Sequence, residues 1–296
     1  MTRDSRVAAL ALASALVLPF LAGCGRTMTM LPDTPERLAR GHLSYLDGAG
    51  GGGLTNWSGG VKEGLLAAGY DGGAEMFGWE TGLGVVADQD AGADYKRARA
   101  AEVARRIEEY KKLYPSAPVS LIGLSAGTAV AVFALEALPA DAPVDTVVLL
   151  GASIGADYDL AQALRRVRNK LYIVTCGRDV VLGFLVPLVG TADRQSVEAA
   201  AGLNGFTLPA GATEETRRLY REKVVTIAWT RQLDPTRDCG THLDNVSMEF
   251  IRDHVAPLLR QTKPPASLAP AFRAVIAPAG AETTTNGRPA LSPAAD

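Results

Sequence analysis

Gly123-Leu124-Ser125-Ala126-Gly127 is a G-x-S-x-G, and the same spacing recurs at Gly151-Ala152-Ser153-Ile154-Gly155. A serine hydroxyl attacks carbonyl carbons only when a base takes its proton. A sharp strand-to-helix turn that exposes the oxygen beside helix N-terminal amides suits it to that work. Glycines on either side permit the strained backbone and the close approach of neighbouring elements. The base must come from three histidines, His42, His242 and His254. No Cys or His cluster has zinc-like spacing, so a metal mechanism is not expected. A glycine run at Gly48–Gly53 is followed by no Gly-Lys-Ser/Thr and does not open directly into a helix. It fails as a phosphate loop, and no cofactor is implied.

These residues need a frame. Strand-like runs at His42–Leu46, Glu75–Trp79, Val119–Ile122, Val144–Leu150, Leu171–Thr175 and Val224–Thr230 alternate with helical stretches. The clearest helix places Ala100, Val103, Ala104, Ile107 and Tyr110 on one face among Arg, Glu and Lys. Further helices are expected at Val61–Gly69, Ala126–Leu138, Asp159–Val167 and Leu243–Leu259. Such alternation predicts an α/β fold: a mostly parallel central sheet with helices on both faces. The first serine motif follows a strand and enters a small-residue helix at once. The second also follows a strand, but no helix opens directly after Gly155.

The chain has 296 residues and a net charge of −2 with no basic block. One sizeable core is expected, and nucleic acid is not an expected partner. No protein partner is identifiable. Arg3 and Arg6 precede an apolar run from Val7 to Ala22, which reads as a secretory signal peptide. Leu21-Ala22-Gly23-Cys24 resembles the lipobox of bacterial lipoproteins, and that resemblance implies an acylated Cys24 holding the mature protein to a membrane of the cell envelope. The expected organisation is a signal peptide over 1–23, a tether over 24–40, one domain over 41–262, and a disordered Pro/Ala-rich tail over 263–296.

From the strand, the serine turn and the helix that follows, the chain resembles the α/β-hydrolase superfamily over roughly 41–260. The resemblance implies that an oxyanion loop follows a strand two before the nucleophile strand. The acid then follows two strands later, and the histidine after one more. Counted from 42–46, this pattern selects Ser125 as nucleophile, Asp179 as acid and His242 as base, with Ser153 on the pocket rim. Asp157 and Asp159, one strand earlier, are the rival acids. His42 and His254 are read as ordinary structural histidines. The implied oxyanion donors are the amides of Ala126 and of Ala49 or Gly50, with Asp47 standing where the family often has His. Cys176 and Cys239 each lie three residues before a member of the Asp179–His242 pair, which implies a disulfide joining the two loops. The stretch 180–222, with an apolar cluster at Phe184–Leu188, is read as either a cap or a plain helix with a surface loop. Trp57 and Trp79 are placed in loops on the active-site edge, read as either pocket lining or ordinary packing. The implied activity is hydrolysis of a small-molecule or lipid ester, or a thioester, through an acyl-enzyme. The alternatives are an acyltransferase or peptidase on the same scaffold, or a catalytically silent envelope-binding lipoprotein.

Overall fold

The computed structural model describes residues 27–52, 56–186, 190–193, 199–231, 233, 240–260 and 272–273. Eight strands form one sheet in the order β1-β3-β2-β4-β5-β6-β7-β8. They are β1 (Met28–Leu31), β2 (His42–Leu46), β3 (Gly73–Met76), β4 (Val119–Leu124), β5 (Val144–Leu150), β6 (Val167–Thr175), β7 (Val224–Ala228) and β8 (Phe272–Arg273). The strands from β3 through β7 run parallel, and β1 and β8 close the two edges antiparallel. The α/β class expected from the sequence is the class the chain adopts.

Alternation within the strands divides the core in two. Val119, Leu121, Val147, Leu149, Leu171 and Ile173 belong to one buried cluster. Ile122, Leu124, Val148, Leu150, Tyr172 and Val174, one residue out of phase, belong to the other. The first cluster is covered by α4 (Ala93–Leu113), α5 (Gly127–Ala137), α6 (Ala161–Leu164) and α7 (Glu214–Lys223). The second is covered by α2 (Ser58–Ala67) and a closing helical run over 244–260. Since both faces are covered, the central strands carry continuous apolar stretches, as at Val147–Leu150 and Leu171–Val174, rather than alternation.

Helix α4 is the amphipathic helix of the sequence. Its predicted stripe is buried, and its outer face carries the i,i+4 pairs Arg105–Glu109 and Glu108–Lys112, each at 2.7 Å. Such exposed pairs contribute only about 0.3–0.5 kcal/mol each, so burial of the stripe holds this helix.

Several expected boundaries differ. The stretch read as a tether contains β1 and a helical turn, α1 (Pro35–Leu38), capped by Thr34. Of the tail over 263–296, only Phe272–Arg273 is described, and it pairs with β7. Within 180–222, Ala192, Ala201, Phe206, Leu208, Leu219 and Tyr220 are part of the first core cluster. The closing helix is broken into 3₁₀, α, π and 3₁₀ turns. The first break falls at Ser247, which is extended and caps the next turn, and Pro257 accounts for the last, because it has no N–H for the i−4 carbonyl and its ring crowds that carbonyl.

Candidate active site

Ser125 follows the last residue of β4 and precedes α5. Its φ is 50°, the sole positive φ of a non-glycine residue among the described residues. Left-handed backbone costs an L-residue about 1–2 kcal/mol, so the surrounding contacts must impose it. Ser125 N–H donates to Leu150 O at 2.9 Å, and Ser125 O accepts from Thr128 N at 3.0 Å. The turn also presses against the end of β2. A Cβ on Gly127 would lie 2.3 Å from Leu46 O and 2.4 Å from Asp47 O, so only glycine fits there. In the second motif the positive φ, 51°, falls on Gly151, and Ser153 has none. Only the first motif presents its serine on a sharp elbow.

Asp179 stands in the turn after β6. Its Oδ1 accepts from the amides of Val181 (3.0 Å) and Leu182 (3.1 Å), which fixes the carboxylate. Its Oδ2 lies 2.8 Å from His242 Nδ1. The rival Asp159 is occupied locally, accepting from Ala161 N at 2.9 Å. His242 lies in the loop before the closing helical run, where its carbonyl accepts from Asn245 Nδ2 at 3.2 Å. The other ring nitrogen, Nε2, is buried and has no hydrogen-bond partner. With one nitrogen tied to a carboxylate and the other uncommitted, the imidazole is set to take up a proton at Nε2.

Ser125 and His242 line one cavity of about 300 Å³, together with Ala49, Gly48 and Ser153. Its apolar walls come from Trp57, Leu124, Val181, Leu182, Val186 and Leu243, and from Val85 on α3 (Val85–Asp90). Ser153 is buried, and its Oγ has no hydrogen-bond partner. Trp79, by contrast, is fully buried beneath the loop and donates its Nε1–H to Asp47 O at 2.8 Å. His42 sits at the far end of β2, 3.6 Å from Glu75, with its ring tilted against Tyr110 at 5.2 Å between centroids. His254 bonds Leu233 O at 3.0 Å. Neither lines this cavity.

The glycine run 48–52 bends over three buried carboxyls, of which sequence reading singled out Asp47 but missed Glu80 and Asp88. Asp47 Oδ1 accepts from Tyr45 Oη and from Gly48 N, both at 2.8 Å, and its Oδ2 accepts from Trp57 N at 3.0 Å. Asp88, on α3, accepts from Gly50 N at 2.8 Å and from Thr81 N at 2.7 Å. Glu80 is buried, and its two carboxyl oxygens have no hydrogen-bond partner. Burial pushes Asp47 up to about 6 against those hydrogen bonds. It pushes Glu80 up to about 7, with the nearby charges of Asp47 and Asp88 adding to the effect. A Cβ on Gly51 would lie 2.4 Å from Asp47 Cγ, which accounts for glycine in this loop. Of the two loop donors expected, the Gly50 amide is committed to Asp88. The Ala49 amide has no hydrogen bond among the described residues, and Ala49 lines the cavity.

Cys176, at the start of the acid turn, is disulfide-bonded. Cys239, the partner expected from the sequence, lies outside the described residues, as does Cys24.

The strand order, the crossovers on both faces and the serine elbow after β4 define an α/β-hydrolase fold. The chain matches no protein-family model and no curated protein. Among solved structures it is similar in backbone course to an esterase from Pyrococcus furiosus, at 12% identity over 76% of this chain and 84% of that one, with a TM-score of 0.43. It is similar to the poly(3-hydroxybutyrate) depolymerase LpqC of Bordetella parapertussis, at 14% identity over 83% and 86%, with a TM-score of 0.47. An acetyl xylan esterase gives 18% identity over 74% and 98%, with a TM-score of 0.42. Likeness at this level carries nothing about substrate.

Proposed function

We propose that the chain is a serine hydrolase that cleaves an ester or thioester through an acyl-enzyme on Ser125, and that an acylated Cys24 holds it at the cell envelope. The observation that carries the catalytic reading is the left-handed Ser125 sharing a cavity with an imidazole whose other nitrogen is tied to buried Asp179. In this reading His242 Nε2 takes the Ser125 proton as Oγ bonds to the substrate carbonyl carbon. Asp179 keeps the proton on Nδ1 and stabilises the imidazolium. The oxyanion is held by the Ala49 and Ala126 amides, and Gly50 is left out because its N–H serves Asp88. The imidazolium then returns its proton to the departing alkoxide or thiolate. Water, deprotonated by the same nitrogen, then bonds to the acyl carbon, and as the bond to Ser125 Oγ breaks the imidazolium returns its proton to Oγ and the acid is released. The apolar cavity walls favour an acyl group that is itself apolar.

Fluorophosphonate labelling with peptide mapping tests this on wild type and the Ser125→Ala, Ser153→Ala and His242→Ala variants. The expected result is a label on Ser125, retained in Ser153→Ala and lost in the other two. A label that follows Ser153 overturns the assignment, and none in any folded variant favours a binding protein.

A further inference from the structure

Nine large apolar side chains are exposed among the described residues. Six of them are cavity-lining residues or lie within two residues of one in the chain: Leu83, Val85, Val86, Val180, Val181 and Leu243. Val85, Val181 and Leu243 also line the cavity, so the collar is continuous with its walls. Leu83, Val86 and Val180 stand out furthest, at 81%, 77% and 76% exposure. Leu66 and Leu113 lie elsewhere, near the C-terminal ends of α2 and α4, at the opposite edge of the sheet. Apolar surface concentrated around one opening marks an interaction site rather than ordinary scatter.

A second observation says what covers it. Strand β1 is antiparallel, and Met28 at its start pairs with Met76 at the C-terminal end of β3. The chain therefore enters the sheet at the same end of the parallel strands that carries Ser125. Met28 is three strand positions from β4, roughly 14 Å across the sheet at the usual spacing. Its Sδ is 3.8 Å from Asn56 Nδ2, beside the cavity residue Trp57. Only two residues, Gly25 and Arg26, separate Cys24 from Thr27, the first described residue, so the three Cα–Cα steps reach roughly 10 Å at most.

We propose that the cavity mouth docks against a lipid bilayer, the collar entering its interface, and that the substrate is a membrane-borne ester whose acyl chain passes from the bilayer into the cavity. This rests on the lipid-anchor and acyl-enzyme readings above. A tether this short holds the catalytic edge toward the membrane and gives the collar an apolar phase to enter.

The test uses the full chain made in a host that acylates lipoproteins, reconstituted into phosphatidylethanolamine–phosphatidylglycerol vesicles. An environment-sensitive maleimide dye is placed at Val86→Cys or Leu113→Cys, with the unsubstituted chain as labelling blank. The expected result is blue-shifted emission at position 86 and aqueous emission at 113. Aqueous emission at both, or a shift at 113 alone, overturns the docking. Mass spectrometry of the N-terminal peptide reads the anchor separately, and an unacylated Cys24 overturns the tether and the proposal with it. For substrate class, Leu83→Asp combined with Val86→Asp is expected to lose turnover of a phospholipid-vesicle ester while keeping that of a soluble aryl ester. Equal turnover by wild type and variant on vesicles overturns the membrane-borne substrate. Because the dye experiment needs no catalysis, its failure is distinct from failure of fluorophosphonate labelling.

Discussion

Asp179 and His242, 63 residues apart in the chain, meet at 2.8 Å with the carboxylate otherwise saturated by two backbone amides. The carboxylate cannot swing away without abandoning the turn at 181–182. Asp179→Asn keeps the shape but offers an N–H or a neutral oxygen to the ring. It is expected to lower kcat on an aryl ester by on the order of 10³–10⁴-fold through the wrong imidazole tautomer. Stopped-flow or steady-state rates check this, and a kcat within a few-fold of wild type would remove Asp179 from the mechanism.

Ser125 carries backbone strain that a glycine would not. Ser125→Gly is expected to stabilise the fold by about 0.5–1 kcal/mol, the left-handed penalty less the entropy of the added glycine, while abolishing fluorophosphonate labelling. Urea unfolding monitors the first half. A destabilised variant would show that the serine hydroxyl itself holds the elbow.

At Gly127 the opposite is expected. A methyl group 2.3 Å from Leu46 O forces β2 and α5 apart. Gly127→Ala should cost about 3 kcal/mol or more, read as a lowered urea midpoint. An unchanged midpoint would mean that the elbow and β2 separate easily.

The central architecture was legible because buried strands and the amphipathic α4 carry period and length in their own residues, and the serine motif sits between two such elements. The edges were not. β1 is four residues of Met, Thr and Leu whose partners lie 43 to 48 residues away, and β8 is a two-residue pairing in a Pro/Ala-rich segment. The acids below the glycine run were illegible for a different reason. Asp47, Glu80 and Asp88 come from three separate segments and become neighbours only when β2 and β3 pair. Ser125 and His242 could be picked by type and order, whereas the loss of Gly50 as a donor depends on the position of Asp88.

Those acids set a pH dependence. Glu80 titrates at about 7 and Asp47 at about 6, against ordinary values of 4.5 and 3.8. Between roughly pH 4 and 7 the folded chain therefore keeps protons that the unfolded chain has released. Their contribution to stability is full below about pH 4 and is lost as pH rises through 6 and 7. Glu80→Gln, neutral at every pH, is expected to be more stable than wild type by on the order of 2 kcal/mol at about pH 8 and nearly equal at about pH 4. Parallel urea titrations at the two pH values check it, and a difference independent of pH would contradict it.

Asp88 is expected to act on rate through the loop. Asp88→Ala frees the Gly50 amide and should lower kcat about tenfold or more by loosening the neighbouring Ala49 donor, with little change in KM. A KM effect alone would place Asp88 in substrate binding instead.

The same carboxylate has a mechanical meaning. Asp88 and Val85 belong to one six-residue helix, tied down by the buried Lys96, which donates to Gln89 O and Ala91 O. The cavity wall and the oxyanion loop are thus two ends of one lever. On the acyl-enzyme reading proposed above, an acyl group too bulky for the cavity pushes Val85 and, through Asp88 and the Gly50 amide it holds, shifts the neighbouring Ala49 donor. On that reading the misfit appears as slow turnover of a substrate that still binds, and chain-length discrimination is exerted at the transition state rather than at the door.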